Sequence, residues 1–387
     1  MTESWITFPA KGCQLRENCY NKTMITKVVK IDEQNIDNEQ IRIAGELAKQ
    51  GELVAFPTET VYGLGADALN PEASGKIYAA KGRPSDNPLI VHIAEFEALD
   101  PIVKQLPREA SLLADAFWPG PLTMCFNKKE VVPDETTGGL KTVAVRMPSH
   151  PVALAFIKAA GGYIAAPSAN TSGRPSPTLA RHVYEDMNGK IPMILDGGQV
   201  GIGIESTIVD LTEEKVTILR PGYITKEMIE QVLQKEVYID PAVNGTSKDA
   251  RPKAPGMKYR HYAPEAELFL VQGTDREAVN REMLKLARNA VENNRYCGIM
   301  ATQESLQAFE KMQRELPESG KSHLILKSIG HEDDDASVAK QLYKVLREFD
   351  EEKTDIIYSE SFSDTGVGQA VMNRLIRAAG HNVIRVE

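Results

Sequence analysis

The 387-residue sequence predicts an α/β protein in which a larger N-terminal domain and a smaller C-terminal domain are joined by a basic linker. Three observations support this prediction. Residues 266–387 alternate short apolar strands with amphipathic helices, which is typical of a Rossmann-like parallel sheet. Residues 240–264 are rich in Pro, Gly, Asn and Lys, as linkers often are. Earlier in the chain, predicted strands repeatedly end in polar residues, which is where open α/β sheets bind ligands.

Composition limits the possible classes of function. The formal net charge of -9 disfavours binding of nucleic acid through general electrostatic attraction, so any basic site must be local. The cysteines at positions 13, 19, 125 and 297 form no C-x-x-C pair, so reduced thiols are expected rather than a disulfide framework or a structural metal site. The sequence shows neither a signal-peptide pattern nor an apolar run of membrane-spanning length, which predicts a cytoplasmic protein.

The N-terminal part of the chain divides into an extension, residues 1–35, and a first domain, residues 36–225. The extension has no clear periodicity before a predicted strand at 25–31, and it receives no function. The first domain begins with a predicted helix at 38–50, because Asp37 is a suitable N-cap and Gly51 stands where a C′ glycine belongs.

A polar segment, residues 57–65, follows the predicted apolar strand 53–56. It contains hydroxyls, a carboxylate and two glycines, and small polar groups at a strand end often contact a ligand. The alternative is that Gly63 and Gly65 only form turns. The third glycine of a dinucleotide-binding fingerprint is missing here.

Residues 81–92 are cationic at their start and apolar at their end. Two prolines restrict the backbone, so Lys81, Arg83 and Asn87 are held in defined directions, as an anion site requires. The stretch ends in a predicted buried strand that carries His92. We therefore interpret it as part of an anion-binding site.

Arg146 lies in an otherwise apolar strand, where Thr142, Ala144 and Arg146 share one face. An unpaired buried charge is strongly destabilising, so this arginine must pair with a carboxylate or point into a polar cavity. The sequence leaves open whether Arg146 makes a structural ion pair or belongs to a site.

Two later strand ends are rich in hydroxyl groups. Residues 167–178 follow an apolar strand, and their hydroxyls and backbone N–H groups can hold phosphate or carboxylate oxygens. A disordered Ser/Pro linker is the weaker alternative, because an apolar strand precedes the loop. Ser206 and Thr207 enter the next strand, and Arg220 ends the one after it.

The linker, residues 226–264, contains a basic run without acids at 251–264, which is either a solvated linker or a lid over an anionic ligand. The second domain, residues 265–387, is expected to hold alternating strands and helices. Its Gly366-Val367-Gly368 turn is weak evidence for a nucleotide, and turn geometry explains it equally well. No catalytic constellation is found in this domain.

The candidate residues of the first domain are cations and hydroxyls without an obvious general base. The sequence has no Ser/His/Asp arrangement, no zinc cluster and no Walker A loop. Such a set suits chemistry performed by positioning and charge neutralisation, as in transfer at phosphorus. These residues predict a site for a nucleotide and small anions.

At these residues the chain resembles a known family. The motifs are Pro57-Thr58-Glu59-Thr60-Val61-Tyr62-Gly63-Leu64-Gly65, Lys81-Gly82-Arg83-Pro84, Asn87-Pro88-Leu89, Trp118-Pro119-Gly120-Pro121, Ala166-Pro167-Ser168-Ala169-Asn170 and Glu205-Ser206-Thr207. They resemble the motif set of the YrdC/Sua5 family, threonylcarbamoyl-AMP synthases, whose signature pair Lys-x-Arg and Ser-x-Asn stands here as Lys81/Arg83 and Ser168/Asn170. The resemblance implies a YrdC-like first domain with a twisted mixed sheet and flanking helices, and the second domain of the longer Sua5 form.

The resemblance also implies an activity, in which L-threonine, bicarbonate and ATP give L-threonylcarbamoyl-adenylate and pyrophosphate for the N6-threonylcarbamoyladenosine modification of tRNA. It implies Lys81 and Arg83 as catalytic residues. The implied L-threonine contacts are Thr60, His92, Arg146, Ala166 and Ser206. The implied ATP contacts are Arg83, Asn87, Thr142, Ser168, Asn170, Ser176, Arg220 and Tyr262.

Mg²⁺ is expected to arrive with ATP, without a dedicated carboxylate cage and without a tightly bound cofactor. The expected partner is a downstream tRNA threonylcarbamoyl transferase, and neither a membrane nor strong direct nucleic-acid binding is expected. The alternative function is a non-catalytic RNA-binding maturation factor or regulator. Net acidity and the lack of aromatic stacking motifs argue against it. A related carbamoyl transfer enzyme is disfavoured because its zinc-binding segments with paired cysteines are absent from the sequence.

Overall fold

The computed structural model describes residues 24–244 and 261–387, which form two α/β domains. The strands of the first range are β1 (Lys27–Lys30), β2 (Val54–Phe56), β3 (Gly63–Asp67), β4 (Ile90–His92), β5 (Leu122–Asn127), β6 (Thr142–Arg146), β7 (Ile164–Ala166), β8 (Met193–Asp196), β9 (Thr207–Asp210), β10 (Thr217–Arg220) and β11 (Tyr238–Ile239). Its helices are α1 (Asn38–Lys49), α2 (Pro71–Lys81), α3 (Arg108–Phe117), α4 (Pro151–Ala159), α5 (Ala180–Met187) and α6 (Lys226–Leu233), with short 3-10 helices at Phe96–Leu99 and Pro241–Asn244.

The N-terminal domain is built on one mixed sheet with the strand order β1-β8-β2-β3-β7-β4-β6-β5-β9-β10-β11. Pairing is parallel between β4 and β6 and antiparallel between β5 and β6, for example. Helices α1 and α4 cover one face, where Ile41 and Phe156 belong to one apolar cluster. Ile77 of α2 and Leu113 of α3 belong to a second, larger cluster. The prediction of a mixed sheet with flanking helices is confirmed.

The N-cap prediction for α1 is also confirmed. The carboxylate of Asp37 accepts hydrogen bonds from the backbone N–H groups of Glu39 and Gln40, at 3.0 and 3.1 Å. These bonds satisfy two of the donors that a helix start leaves unpaired. Gly51 has a φ of +76°, as expected for a glycine just past a helix end.

The segment 57–65 differs from the expectation of a turn, because Gly63 and Gly65 lie in strand β3. A Cβ atom at Gly65 would lie 2.9 Å from side-chain atoms of both Phe56 and Ile164. The glycines therefore allow close packing of neighbouring strands rather than a turn.

The sheet also extends beyond the range of 36–225 that the sequence predicts for the first domain. Strand β1 confirms the strand predicted at 25–31 within the extension and pairs with β8, while β11 lies in the predicted linker and pairs with β10. Strand β11 has only 2 residues, too few to show a periodicity. The aromatic residues and cysteines before residue 24, and the basic run 251–260, lie outside the described residues.

The C-terminal domain has strands β12 (Glu267–Gln272), β13 (Cys297–Ala301), β14 (Leu324–Ser328), β15 (Ile356–Glu360) and β16 (Val383–Arg385). Its helices are α7 (Arg276–Glu292), α8 (Gln303–Glu315), α9 (Glu318–Lys321), α10 (Asp335–Glu351) and α11 (Gly366–Ala378). The strands are parallel in the order β14-β13-β15-β12-β16, which confirms the predicted parallel sheet.

The two faces of the C-terminal sheet have different roles. Helices α7 and α8 cover one face, and α10 and α11 the other. The apolar cluster of α10 and α11 also contains Val61 and Ile204 of the N-terminal domain and Tyr262 near the end of the predicted linker. These two helices therefore pack against the N-terminal domain.

The Gly366-Val367-Gly368 turn has a packing explanation. Gly366 has a φ of +56°, and a Cβ at Gly368 would lie 2.6 Å from Ser363 and 2.7 Å from Asp335. Both positions require glycine for reasons of geometry. None of the helices within 24–244 and 261–387 combines the length and the apolar character needed to cross a bilayer.

Candidate active site

A cavity in the N-terminal domain brings together most of the predicted site residues. The predicted residues that line it are Thr60, Lys81, Arg83, His92, Arg146, Ala166, Ser168, Asn170, Ser176, Ser206, Arg220 and Tyr262. Asn87 and Thr142 are not among the lining residues. The lining comes from several strand ends and from the last residues of the predicted linker, so the chain must fold before the cavity exists.

Lys81 is the last residue of α2, and its side chain joins two loops. Gly82 follows in the left-handed conformation at φ +61°, which ends the helix. The Lys81 Nζ donates hydrogen bonds to the carbonyl oxygens of Ser168 and Asn170, the latter at 2.5 Å. Burial, together with nearby Arg83, holds the pKa of Lys81 well below its usual value. The lysine thus ties its own loop to the Ser-x-Asn loop.

Arg83 is half-buried and is held by its own loop. Its Nε donates to the carbonyl of Asn87 at 3.3 Å, and its Nη2 to the carbonyl of Pro88 at 3.0 Å. Burial lowers the pKa of Arg83 to about 10, which leaves the guanidinium charged at neutral pH. The side chain of Asn87 is buried outside the cavity lining, but its backbone carbonyl orients Arg83.

Arg146 both pairs with a carboxylate and faces the polar cavity, the two possibilities that the sequence left open. Its Nη2 donates to Glu59 Oε1 at 2.7 Å, its Nη1 to Thr60 Oγ1 at 2.9 Å and its Nε to the Gly120 carbonyl at 3.3 Å. It therefore makes a buried ion pair and also lines the cavity. A guanidinium has five N–H donors, and the described residues accept from three of them, which leaves two for another partner.

His92 lies beside Arg146, since the two residues are register partners on the parallel strands β4 and β6. Its Nδ1 is 3.1 Å from the carbonyl oxygen of Ile90, and its ring lies edge-on to Phe56. Burial, followed by the charge of Arg146, lowers the pKa of His92 to about 3. The imidazole is therefore neutral at physiological pH.

The hydroxyl loop after β7 is held by internal hydrogen bonds. Ser168 Oγ donates to Asn170 Oδ1 at 2.5 Å, and Asn170 Nδ2 donates to the carbonyls of Thr171 and Arg174, both at 2.9 Å. Ser176 Oγ donates to Glu205 Oε1 at 2.6 Å. These bonds hold the loop as one wall of the cavity.

Arg220 closes another side of the cavity. Its Nε donates to the carbonyl of Ser206 at 3.0 Å and its Nη2 to Ser206 Oγ at 3.1 Å. The Ser206 hydroxyl also contacts Thr123 Oγ1 at 2.8 Å. Burial lowers the pKa of Arg220. Ser206 and Arg220 therefore reach the cavity as one unit.

Of the predicted lid, the structure describes the part from residue 261 onward. Tyr262 lines the cavity and stacks on Tyr343 of α10, with ring centroids 5.2 Å apart. The backbone N–H of Ala263 donates to the Gly173 carbonyl at 2.9 Å, which ties this segment to the hydroxyl loop. Lys258 to Arg260 lie outside the described residues.

Sequence reasoning missed two carboxylates and the contribution of the C-terminal domain. Glu59 and Glu205 lie within two of the motifs quoted above. A carboxylate close to several candidate cations is the feature that could have identified them. Tyr343 and Arg374 contact Glu205 from α10 and α11. The only hint for Arg374 was a charged residue between the apolar positions of an amphipathic helix.

Three buried histidines make the stability of the fold sensitive to pH. Burial lowers the pKa of His92, His182 and His261 to about 3 each. They are neutral in the folded chain, whereas in the unfolded chain they become protonated near pH 6.5. Their contribution to the unfolding free energy is therefore fully present above that pH and is lost as the pH falls towards 3.

Between pH 7.5 and pH 5.5 the three histidines should therefore lower the unfolding free energy by about 4 kcal/mol. Asp350, whose pKa is raised to about 6 by burial, has the opposite effect and offsets about 1 kcal/mol of this loss. Chemical denaturation at both pH values measures the difference. His182 lies outside the cavity lining, and the change His182→Asn should remove about a third of the pH-dependent loss that the three histidines cause. An unchanged pH dependence of the unfolding free energy in this variant would contradict the prediction.

Comparison with known proteins agrees with this geometry. A family model described as "Telomere recombination" (Sua5/YciO/YrdC) matches residues 46–222, and a model described as "Threonylcarbamoyl-AMP synthase, C-terminal domain" matches residues 224–380. The threonylcarbamoyl-AMP synthase of Pyrococcus abyssi is 48% identical over 362 residues, which cover 94% of this chain and 100% of that protein. The threonylcarbamoyl-AMP synthase of Bacillus subtilis is 46% identical, covering 92% of this chain and 97% of that protein.

Solved structures agree with the sequence relatives. The crystal structure of P. abyssi Sua5 complexed with L-threonine has a TM-score of 0.85 and 47% identity, covering 94% of this chain and 100% of that chain. Another P. abyssi Sua5 structure, of a doubly substituted variant, has a TM-score of 0.84 and 46% identity, covering 94% of this chain and 98% of that one. Similarity of this extent over nearly the whole chain shows that it belongs to the Sua5/YrdC family of threonylcarbamoyl-AMP synthases.

Proposed function

We propose that this chain condenses L-threonine, bicarbonate and ATP into L-threonylcarbamoyl-adenylate, with release of pyrophosphate and water. The observation that carries the proposal is the single cavity in which Lys81, Arg83, Arg146 and Arg220 meet the hydroxyl loop. Four cations around one cavity suit a reaction that must bring several anions together. The activity is that of the family to which the chain belongs.

L-threonine is proposed to bind beside Arg146. The two N–H groups of Arg146 that the protein leaves available can hold a carboxylate bidentately. Neutral His92 lies on the adjacent strand and can orient the substrate without acting as a base. The remaining proposed threonine contacts are Thr60, Ala166 and Ser206.

The chemical step is proposed to follow from positioning. The threonine amine adds to CO₂ derived from bicarbonate, and a carbamate oxygen then attacks the α-phosphate of ATP in line while pyrophosphate leaves. Lys81 and Arg83 lie at the cavity where negative charge must be gathered, and they are the proposed catalytic residues. Their role is to neutralise charge on bicarbonate and phosphate.

The nucleotide is proposed to lie against the hydroxyl loop and the end of β10. The proposed ATP contacts are Arg83, Asn87, Thr142, Ser168, Asn170, Ser176, Arg220 and Tyr262. Asn87 and Thr142 lie outside the cavity lining, so their effect on ATP is expected to be weaker than that of the others. Asn87 is expected to act through the orientation of Arg83.

Mg²⁺ is proposed to enter bound to the phosphates of ATP. The carboxylate that lines the cavity, Glu205, is engaged by Ser176, Tyr343 and Arg374. Within 24–244 and 261–387, no group of three His, Cys, Asp or Glu side chains is placed to hold a metal ion. The described side chains do not fit a dedicated Mg²⁺ site, and the phosphates of ATP are the proposed ligands.

The product is proposed to pass to a tRNA threonylcarbamoyl transferase in the cytoplasm, for N6-threonylcarbamoyladenosine. Strong direct binding of nucleic acid is not expected, because the net charge is -9 and the cations of the site are buried or half-buried in the cavity. The product is a mixed anhydride of a carbamate and AMP, which makes it an activated acyl donor suited to such a transfer reaction.

Pyrophosphate release from ATP, measured with each substrate omitted in turn, tests the function. We expect release only when L-threonine and bicarbonate are both present, because the carbamate is the nucleophile. Release that persists without either substrate would exclude the synthase assignment. Tight, salt-sensitive RNA binding without turnover would favour the alternative of a non-catalytic RNA-binding maturation factor or regulator.

A further inference from the structure

Three side chains of the C-terminal domain reach the wall of the candidate active site. Tyr343 and Arg347 of α10 and Arg374 of α11 are each at most 1% exposed. All three hydrogen-bond to residues of the N-terminal domain. Two fully buried arginines destabilise a protein unless their donors are paired, so their partners indicate what they hold in place.

Arg374 connects the two strand ends that carry Ser206 and Arg220. Its Nε donates to Glu205 Oε2 at 3.1 Å, and its Nη1 donates to the carbonyl of Pro221. Glu205 directly precedes Ser206, and Pro221 directly follows Arg220. Its Nη2 also donates to the backbone carbonyl of Glu205 at 3.4 Å, so one guanidinium from the second domain holds the chain beside both Ser206 and Arg220.

Glu205 transmits this constraint to the hydroxyl loop. The hydroxyl of Tyr343 lies 2.9 Å from Glu205 Oε2, and Ser176 Oγ donates to Glu205 Oε1 at 2.6 Å. Burial alone would raise the pKa of Glu205, but Arg374 and Arg220 outweigh burial and lower this pKa. An ionised carboxylate only accepts hydrogen bonds, so it sets the direction of the Ser176 hydroxyl.

Arg347 holds the same loop one residue earlier. Its Nε and Nη2 donate to the carbonyl of Pro175 at 3.1 and 2.7 Å, and Nη2 also donates to Asp186 Oδ2 at 2.8 Å. Asp186 in turn accepts from the backbone N–H of Thr171 at 3.0 Å and pairs with Arg174. Two points of the hydroxyl loop are thus anchored to α10.

Gly203 shows how closely α10 approaches the N-terminal domain. Its φ is +90°, and a Cβ built there would lie 2.5 Å from the Ala339 carbonyl oxygen and 2.5 Å from the Lys340 Cα. Backbone atoms of a helix cannot give way as side chains do. The distance between α10 and the cavity wall is therefore fixed by this contact.

We propose that Tyr343, Arg347 and Arg374 are positioning residues for ATP, and that the C-terminal domain thereby forms a structural part of the nucleotide site. They act through Glu205 and Pro175 on Ser176, and through Pro221 on Arg220. The inference rests on the proposed function, since Ser176 and Arg220 are taken there as ATP contacts. It assigns the second domain a role that its own sequence does not indicate.

The change Tyr343→Phe tests this with the least disturbance, because it removes one hydroxyl and keeps the ring that stacks on Tyr262. We expect the KM for ATP to rise about tenfold, as the loss of one hydrogen bond to a charged group implies. The KM for L-threonine should rise less than the KM for ATP, since Arg146, which is proposed to hold the carboxylate, lies outside this network and only Ser206 connects it to the threonine contacts. Arg374→Met should raise the KM for ATP further. The exposed Arg281→Met on α7 is the matched control and should change neither constant.

A lower Tm with an unchanged KM for ATP in both variants would mean that these residues only stabilise the fold, and the proposal would be wrong. If Arg374→Met does not fold, Gly203→Ala is the second test, because it pushes α10 away and should raise the KM for ATP in the same direction. Absence of threonine-dependent pyrophosphate release in the unaltered protein would instead overturn the proposed function.

Discussion

Replacing Arg83 with alanine should lower kcat for pyrophosphate release by about a hundredfold to a thousandfold, as expected when one preorganised donor to a developing charge is lost. The Tm should stay within about 2 °C of that of the unaltered protein. Arg83 is half-buried, and its guanidinium hydrogen bonds go to carbonyls of its own loop, at Asn87 and Pro88. Its removal therefore takes away a charge at the cavity without opening the core.

The measurement pairs steady-state kinetics with thermal unfolding of the same preparation. Arg108→Ala is the control, because Arg108 is an exposed arginine at the start of α3 and lies outside the cavity lining. This control should keep both kcat and Tm. A large fall in Tm for Arg83→Ala would show that Arg83 is structural, and unchanged turnover would remove it from the catalytic residues.

Replacing Arg146 with methionine should affect both substrate binding and stability. We expect the KM for L-threonine to rise about a hundredfold, because a bidentate contact to its carboxylate is lost. We also expect the unfolding free energy to fall by about 3 kcal/mol, because Glu59 is left as an unpaired buried charge. Glu59 Oε2 is already buried without a hydrogen-bond partner among the described residues.

The double variant Arg146→Met with Glu59→Gln separates the two effects. A neutral amide at position 59 removes the unpaired charge, so stability should recover in part. The KM for L-threonine should remain as high as in the single variant. Recovery of threonine affinity together with stability would mean that Arg146 is a structural ion-pair partner only. Chemical denaturation and initial rates at varied L-threonine give both quantities.

The fold follows from the sequence where local patterns are sufficient. The start of α1 is set by Asp37 and the following residues, and the alternating strands and helices after residue 266 allow a parallel sheet. Most of the cavity-lining residues also lie in motifs that can be read in order along the chain, such as Lys81 and Arg83. These features depend on residues close together in sequence.

Other features depend on packing between distant segments. Gly63 and Gly65 resemble turn residues, but they lie in strand β3. Side chains of the neighbouring strands occupy the space that a side chain at either position would need. The partners of Arg146, Glu59 and Thr60, lie 87 and 86 residues away in the sequence and meet it only in the folded chain. The positions of Asn87 and Thr142 outside the cavity lining are likewise a consequence of packing.

The sequence by itself therefore determined the α/β class, the parallel second domain and the cation and hydroxyl motifs of the site. Only the tertiary structure decided which of these groups meet in one cavity, and that Arg374 and Tyr343 of the second domain hold Glu205. The physical reason is that caps and periodicities act over a few residues. A hydrogen bond between Arg374 and Glu205, 169 residues apart, exists only after the two domains have packed together.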